Sequence, residues 1–183
     1  GSSWTTVNNY PQTSNSSGAC GTLTAGLGFG GFISDDSALT EEYNGHVWTN
    51  STDLITARRG LGGAGSQNAT IAYGGRTPTL QNATEVYNGM SWVASANMIT
   101  ARNGMACAGT VNATLGAGGA SPAADNKTEE FDGTTWSAGG NLGTARLQLA
   151  GAGSQTAALA AGGYISAKTA VSEEYDGLTW SAT

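Results

Sequence analysis

The chain has 183 residues, a length typical of one domain, with 29 glycines, only 3 prolines and a formal net charge of −6. Lys127 and Lys168 are its only lysines, so the clustered Lys and Arg that nucleic acids or anionic membranes require are missing. No apolar run approaches membrane-spanning length, and no secretory signal is visible at the N-terminus. Nucleic-acid binding and membrane insertion are therefore not expected.

The first predicted strand contains Trp4, and the same tryptophan recurs every 44 residues, at Trp48, Trp92, Trp136 and Trp180. An aromatic residue precedes the last four tryptophans at the same spacing: Tyr43, Tyr87, Phe131 and Tyr175. A period of this length indicates propeller blades or helical arrays. We therefore expect one domain over 1–183, with 1–13 as closing strand and link, and repeats at about 14–57, 58–101, 102–145 and 146–183.

Each repeat is predicted to be an antiparallel meander of four short strands, as the second repeat illustrates. "RRGLGGAGS" is small and apolar, "ATIAYGG" alternates with Ile71 and Tyr73 on one face, and "ATEVYNG" and "MSWVAS" flank an Asn-Gly turn. Asn-Gly or Asp-Gly between two strands predicts a hairpin in which both residues take positive φ. Glycine is too frequent for helices. The fold class is therefore an all-β propeller of four blades, whereas a β-solenoid, with shorter turns and no hairpin per repeat, fits less well.

The first strand of each repeat carries almost only small side chains, in "SGACG" (17–21), "LGGAG" (61–65), "MACAG" (105–109) and "LAGAG" (149–153). Small side chains let backbones approach the central axis closely. We expect a closed ring of four blades from one chain, with a narrow and largely filled channel.

Charged residues also recur once per repeat, at Glu41, Glu85, Glu129 and Glu173, and at Arg58, Arg102 and Arg146. A ring of carboxylates could serve catalysis or metal binding, but catalytic sites are normally built from unlike residues in one place. We therefore interpret the Glu and Arg residues as structural ion pairs, and the Tyr and Trp residues as packing between blades. Ser14 stands where the fourth arginine would be, so Glu173 is expected to lack a partner.

Ring closure is predicted to use the N-terminal strand. Five tryptophan strands accompany only four sets of the other three strands, so one is surplus. Tyr10 tethers the Trp4 strand to the first repeat, and we expect that strand to form the outer edge of the fourth blade. The C-terminal "TWSAT" would compete for this edge, and the unpaired strand could associate with another molecule.

Binding residues are expected on the loops between the second and third strands, where the repeats differ, in 32–39, 76–83, 120–127 and 164–171. The links between blades share this face. The candidates are Phe32, Asp35, Asp36, Arg76, Asp125, Lys127, Tyr164 and Lys168. For any one of them, an ordinary solvated loop is the alternative interpretation.

Other chemistry is sparse, and we expect no catalytic residue, metal or cofactor. His46, the only histidine, lies in a hairpin turn without a supporting catalytic motif. The pair Asp35-Asp36 lacks the ligand spacing of a calcium loop. Cys20 and Cys107 fall on inner strands in opposite phase, which predicts buried free thiols on opposite faces.

The pattern of a glycine pair closing the second strand, then Tyr and then Trp, resembles the kelch repeat over the whole chain. The glycine pairs are Gly30-Gly31, Gly74-Gly75, Gly118-Gly119 and Gly162-Gly163. The chain departs from kelch in a shorter spacing between Tyr and Trp. The wording "TEEYNG..W" with "TAR....AGAGSQTA" also resembles kelch-like proteins of tailed bacteriophages, which implies a protein of the virion or tail surface.

Three functions follow from these patterns. The first is a non-enzymatic structural or binding module on a phage particle or extracellular surface, soluble, contacting host glycan or protein or other virion proteins. The second is a generic protein-interaction propeller. The third, a propeller-based glycosidase, needs clustered acids in unequal environments, whereas the acids here repeat symmetrically.

Overall fold

The computed structural model describes residue 3 and residues 5–183, and in it the chain forms a four-bladed β-propeller. Each blade is an antiparallel sheet of four strands, and no helix occurs among the described residues. No segment of that part of the chain forms a helix long and apolar enough to cross a membrane. The all-β fold class and the number of four blades from one chain are thereby confirmed.

The first two blades have strands connected in simple meanders. Blade 1 contains β1 (Gly18–Thr22), β2 (Ala25–Phe29), β3 (Thr40–Tyr43) and β4 (Trp48–Asn50). Blade 2 contains β5 (Gly62–Ser66), β6 (Ala69–Tyr73), β9 (Thr84–Tyr87) and β10 (Trp92–Ser95). In blade 2, the loop after β6 adds a small ribbon of β7 (Arg76–Thr77) and β8 (Thr79–Leu80).

The last two blades repeat the same order. Blade 3 contains β11 (Ala106–Thr110), β12 (Ala113–Ala117), β13 (Thr128–Phe131) and β14 (Trp136–Ala138). Blade 4 contains β15 (Ala150–Ser154), β16 (Ala157–Ala161), β17 (Ser172–Tyr175) and β18 (Trp180–Ala182). The same register recurs, since Tyr43 pairs with Trp48 and Tyr175 with Trp180 across the last hairpin.

These last hairpins have a different turn from the one predicted. In the turn between the last two strands of blade 2, Gly89 takes positive φ, at 88°, whereas Asn88 does not. The Asn88 side chain instead accepts hydrogen bonds from the N–H groups of Met90 and Ser91, both at 2.9 Å. The side-chain oxygen thus caps a four-residue loop, which removes the need for a second residue at positive φ.

Tryptophans fill the space between successive blades. Trp92 of blade 2 lies 5.2 Å from the ring of Phe29 in blade 1, and its indole N–H donates to the Thr40 hydroxyl at 3.0 Å. Trp136 and Trp180 repeat this bond to Thr84 and Thr128. Trp48 instead packs against Tyr10 and Tyr43 at the start of the chain. Trp4 lies outside the described residues.

Arginine and glutamate form a buried ion pair at the entry to each of the last three blades. The three arginines are fully buried. The pairs are Arg58–Glu85 at 3.0 Å, Arg102–Glu129 at 3.1 Å and Arg146–Glu173 at 2.9 Å. Glu129 also accepts the N–H groups of Ile99 and Thr100, so each pair ties a link to the blade that follows it.

The prediction that Glu173 lacks a partner is wrong, because each arginine binds the glutamate 27 residues after it. Ser14 therefore deprives Glu41 of its partner. Glu41 is 1% exposed, and the Tyr10 hydroxyl donates to one of its oxygens at 2.5 Å. The other oxygen, Oε1, is buried without a hydrogen-bond partner among the described residues.

This difference gives a matched prediction for two equivalent carboxylates. Glu129→Gln is expected to lower the free energy of unfolding by about 3 kcal/mol, because it leaves the buried Arg102 charge uncompensated. Glu41→Gln should change it by less than about 0.5 kcal/mol, because no arginine depends on that charge and burying the neutral amide costs less. Urea midpoints of the two variants provide the comparison, and equal losses would contradict the assigned partners.

The outer edge of blade 4 is formed by the C-terminal strand, not by the N-terminal strand that we predicted there. β18 pairs with β17 through a short hairpin at Asp176-Gly177, whose loop closes at little entropic cost. The described residues before Ser14 form no strand and lie against blade 1, where the Asn8 side chain donates to the His46 carbonyl. The predicted clasp is therefore not formed by the described residues.

We predicted that the inner strands would enclose a narrow channel, but the described inner strands do not form a closed ring. β1 packs on β5, β5 on β11 and β11 on β15, whereas no comparable packing joins β15 to β1 in the described chain. β15 is exposed along its whole length. At the junction between blades 4 and 1, Ser14 replaces the recurring arginine. Pro11 also has no N–H to donate to Glu41, whereas Ile55 and Ile99 at the equivalent positions donate to their glutamates.

Candidate functional site

The loops after the second strands and the links between blades form one surface, here called the loop face. Each loop pairs with the link that enters the same blade, through the bridges Asn15–Phe32, Arg59–Arg76, Asn103–Ala120 and Leu147–Tyr164. The hairpin turns lie together elsewhere, as shown by the close approach of Gly89 to Asn68. The predicted division of the molecule into a loop face and a hairpin face is therefore observed.

A chain of backbone hydrogen bonds holds the links in place near the axis. The N–H of Gly60 donates to the Ser16 carbonyl at 2.8 Å, Gly104 to Gly60 at 2.9 Å, and Gln148 to Gly104 at 2.8 Å. All four residues have positive φ, at 58° for Ser16, 61° for Gly60, 65° for Gly104 and 55° for Gln148. The two non-glycine residues accept an uncommon backbone conformation here, so the links are fixed by their surroundings.

Phe32 and Asp36 come together with Arg59, a residue that the sequence analysis did not select. The Arg59 guanidinium bonds the Asp36 carboxylate at 2.8 Å and lies 4.5 Å from the centre of the Phe32 ring. Asp35 caps its own turn by accepting the N–H of Asp36 at 2.8 Å. Arg59 could have been recognised because its position holds Asn15, Asn103 and Leu147 in the other repeats, whereas neighbouring Arg58 recurs.

Arg76 lies next to this cluster, because its backbone pairs with that of Arg59 in both directions. It is exposed and donates to the Pro78 carbonyl at 3.0 Å. It borders a groove between the loops of blades 2 and 3, whose other lining residues are Pro78, Thr79, Leu80, Asn103, Ala120 and Pro122. Asn103 is a second residue that the sequence analysis missed.

Asp125 and Lys127 do not join that groove. Asp125 accepts the N–H groups of Asn126 and Lys127, at 2.8 and 3.1 Å, and so shapes its own loop. The Lys127 ammonium lies 3.9 Å from Asp125 and is largely exposed. Lys127 borders a separate depression with Ile99, Thr100 and Asn141.

Tyr164 and Lys168 form a third site on the loop of blade 4. Their backbones pair across the turn, and both side chains are exposed. Ile165 beside them is also exposed. The eight candidates therefore divide into three groups. Phe32, Asp35, Asp36 and Arg76 lie together at blades 1 and 2, Asp125 and Lys127 form a separate pair, and Tyr164 and Lys168 form the turn in blade 4.

The loop face presents guanidinium, amide and aromatic side chains to solvent, at Arg76, Asn103 and Tyr164. His46 lies in a hairpin turn, where its backbone N–H donates a hydrogen bond to the Asn44 side-chain oxygen. Burial raises the pKa of the Cys20 and Cys107 thiols above the usual value and keeps them protonated. The two are free, as predicted, but only partly buried. No three His, Cys, Asp or Glu side chains form a metal-binding group within residues 3 and 5–183.

Comparison with protein-family models finds no family that matches this chain, and comparison with curated proteins finds no match either. The propeller is shown by the arrangement of the four sheets. The relation to kelch and bacteriophage proteins remains a prediction from the repeated sequence motifs.

Proposed function

We propose that this chain is a non-enzymatic binding module whose loop face contacts glycans on a host cell surface, as part of a phage virion or tail. The observation that carries the proposal is a contrast between equivalent positions. The inter-blade positions repeat nearly the same residues, whereas the first residue of the loop changes in every blade, as Phe32, Arg76, Ala120 and Tyr164. A rigid scaffold with variable loops is the usual construction of a recognition surface.

The chemistry of the loop face fits a glycan. Sugar rings offer hydroxyl groups to polar side chains and apolar faces to aromatic rings, and the loop face supplies Arg76, Asn103 and Tyr164 in exposed or partly exposed positions. The groove beside Arg76 gives such a ligand a concave place to lie. The net charge of −6 disfavours strongly anionic ligands.

A binding role is favoured over hydrolysis by the state of the acids. The recurring glutamates at 85, 129 and 173 are engaged by buried arginines, and Asp36 by Arg59. A glycosidase uses two carboxyl groups of different environment on either side of the bond that it cleaves. The placement on a virion rests on the resemblance to phage proteins alone.

A glycan array tests the proposal. The double variant Arg76→Ala/Tyr164→Ala should lose about tenfold or more in affinity for the glycans that the unmodified chain retains, as expected for exposed contact residues. The matched control, Met90→Ala/Leu178→Ala, removes exposed residues from the hairpin face and should bind normally. Absence of glycan binding together with retention of a host protein would favour the protein-interaction propeller instead.

A further inference from the structure

The junction between blades 4 and 1 is the one blade interface that the described residues leave open. Leu159 of blade 4 is 39% exposed, whereas its equivalents Leu27, Ile71 and Leu115 are at most 1% exposed, because the next blade covers them. Ala152 is likewise exposed. A groove on this side is lined by Ala152, Leu159, Glu174 and Tyr175.

Both halves of the open junction nevertheless keep the residues that match across the filled ones. Tyr87 donates its hydroxyl to Glu42 of the preceding blade, and Tyr175 donates to Glu130, both at 2.5 Å. Where the preceding blade has Val86 in place of glutamate, the following blade has Phe131, which has no hydroxyl, and the two pack together.

A tyrosine hydroxyl is therefore present at each filled junction where the preceding blade supplies a glutamate to accept its hydrogen bond. At the fourth junction the equivalent pair is Glu174 and Tyr43, which is again glutamate with tyrosine. Glu174 is exposed, and no hydrogen bond from the Tyr43 hydroxyl is found in the described part of the chain. The pair keeps its complementarity although its members do not meet.

The hydrogen bond donated by each tryptophan indole also has matching residues at the open junction. Trp92, Trp136 and Trp180 each donate to a threonine hydroxyl of the preceding blade. The fourth equivalent is Trp48 with Ser172, which also offers a hydroxyl. The two halves are thus a matched donor and acceptor surface, related to each other head to tail.

Among the described residues, backbone groups on both sides of the open junction also lack the hydrogen bond that joins them at the filled junctions. At the three filled junctions the second glycine of each pair donates its N–H to an arginine carbonyl of the link, for example Gly31 to Arg58 and Gly75 to Arg102, both at 2.9 Å. The fourth equivalents are Gly163 and Ser14, and this bond is not formed within residues 5–183. Residues 10–16 already lie along blade 1, so a blade 1 that docks would bring the missing link with it.

We propose that a second copy of this chain docks its first blade, with residues 10–16, on the open face of blade 4. Closing the junction within one chain would require the three packed blade interfaces to shift, and tightly packed side chains resist such shifts. A second copy needs no such change. Two head-to-tail contacts that close give a dimeric ring, and contacts that do not close give longer chains.

Light scattering after size-exclusion chromatography tests this over a range of protein concentrations. The unmodified chain should exceed the 18.3 kDa of one copy and dissociate on dilution. Leu159→Glu should raise the dissociation constant at least tenfold. Leu178→Glu, the same change at an exposed leucine of the hairpin in blade 4, should leave it unchanged. A chain that stays monomeric at all concentrations would overturn the proposal.

Two further variants address the direction of the contact. Gln67 and Gln155 donate to two carbonyls of the preceding blade, and Leu23 occupies the same position in blade 1, where it is 81% exposed. Leu23→Gln should therefore tighten association, and Leu23→Glu should weaken it.

A mixture of Leu23→Glu and Leu159→Glu retains one intact junction and should form a one-to-one pair at concentrations where each variant alone is largely monomeric. A mixture that remains monomeric, while the unmodified chain associates, would rule out the head-to-tail contact.

Discussion

Replacing Trp92 by alanine is expected to lower the free energy of unfolding by about 3–5 kcal/mol. The indole is 5% exposed, packs on Phe29 and Tyr87 and donates to Thr40, so its removal opens a cavity and breaks a hydrogen bond at the interface of blades 1 and 2. Large apolar area is scarce in a chain with 29 glycines, and few neighbouring side chains can fill the space. Urea unfolding followed by circular dichroism measures the loss.

Arg76→Ala is the control for this prediction, because the Arg76 side chain is exposed and its hydrogen bond goes to Pro78 of its own loop, while its backbone bonds to Arg59 are kept in the variant. It should change the free energy of unfolding by less than about 0.5 kcal/mol. Comparable urea midpoints for Trp92→Ala and Arg76→Ala would contradict the role of tryptophan in joining the blades.

Arg102→Met is expected to cost a similar amount, about 3–5 kcal/mol, because it leaves the carboxylate of Glu129 buried without its counter-charge. Burial lowers the pKa of the Arg102 guanidinium while Glu129 raises it, so the pair depends on both charges being present. Arg102 also donates to the carbonyls of Gly116, Gly118 and Lys127, which the methionine cannot replace.

Arg59→Met supplies the matched control, since the Arg59–Asp36 pair is partly exposed and is expected to contribute at most about 1 kcal/mol. The double variant Arg102→Met/Glu129→Leu should recover only part of the loss, because the N–H groups of Ile99 and Thr100 lose their acceptor. Calorimetric melting would contradict the account if Arg59→Met and Arg102→Met lowered the melting temperature equally.

The repeat made much of the fold predictable, because the same pattern of strand and turn residues occurs in all four repeats. A glycine pair, an aromatic residue and Trp92 at a fixed period were enough to place the strands and the two faces of the second blade. The partner of each recurring arginine was harder to assign, since a periodic sequence allows pairing with the preceding or the following glutamate. That ambiguity produced the error at Glu173, whereas Glu41 is the residue without an arginine.

Ring closure was not predictable for a related reason. The period is the same for an open and a closed arrangement, because the angle between blades depends on how side chains such as Phe29 and Trp92 pack. Trp4 and Trp180 belong to the same series, so the pattern could not decide which strand completes blade 4. On the loop face, Arg59 and Asn103 were missed because they lie on links rather than on the loops that differ most in sequence.

An exchange of loops would show whether the repeated scaffold carries a separate recognition surface on the loop face. One chimera would carry the sequence of 120–127 in place of 32–39, 76–83 and 164–171, which are of equal length. A second would carry the turn 132–135 in place of 44–47, 88–91 and 176–179. Both should melt close to the unmodified chain, since the exchanged segments keep their lengths and the large side chains between blades, such as Phe29 and Trp92, are unchanged. Only the first should lose binding on the glycan array. Retained binding in the first chimera, or lost binding in the second, would contradict the assignment of recognition to the loop face.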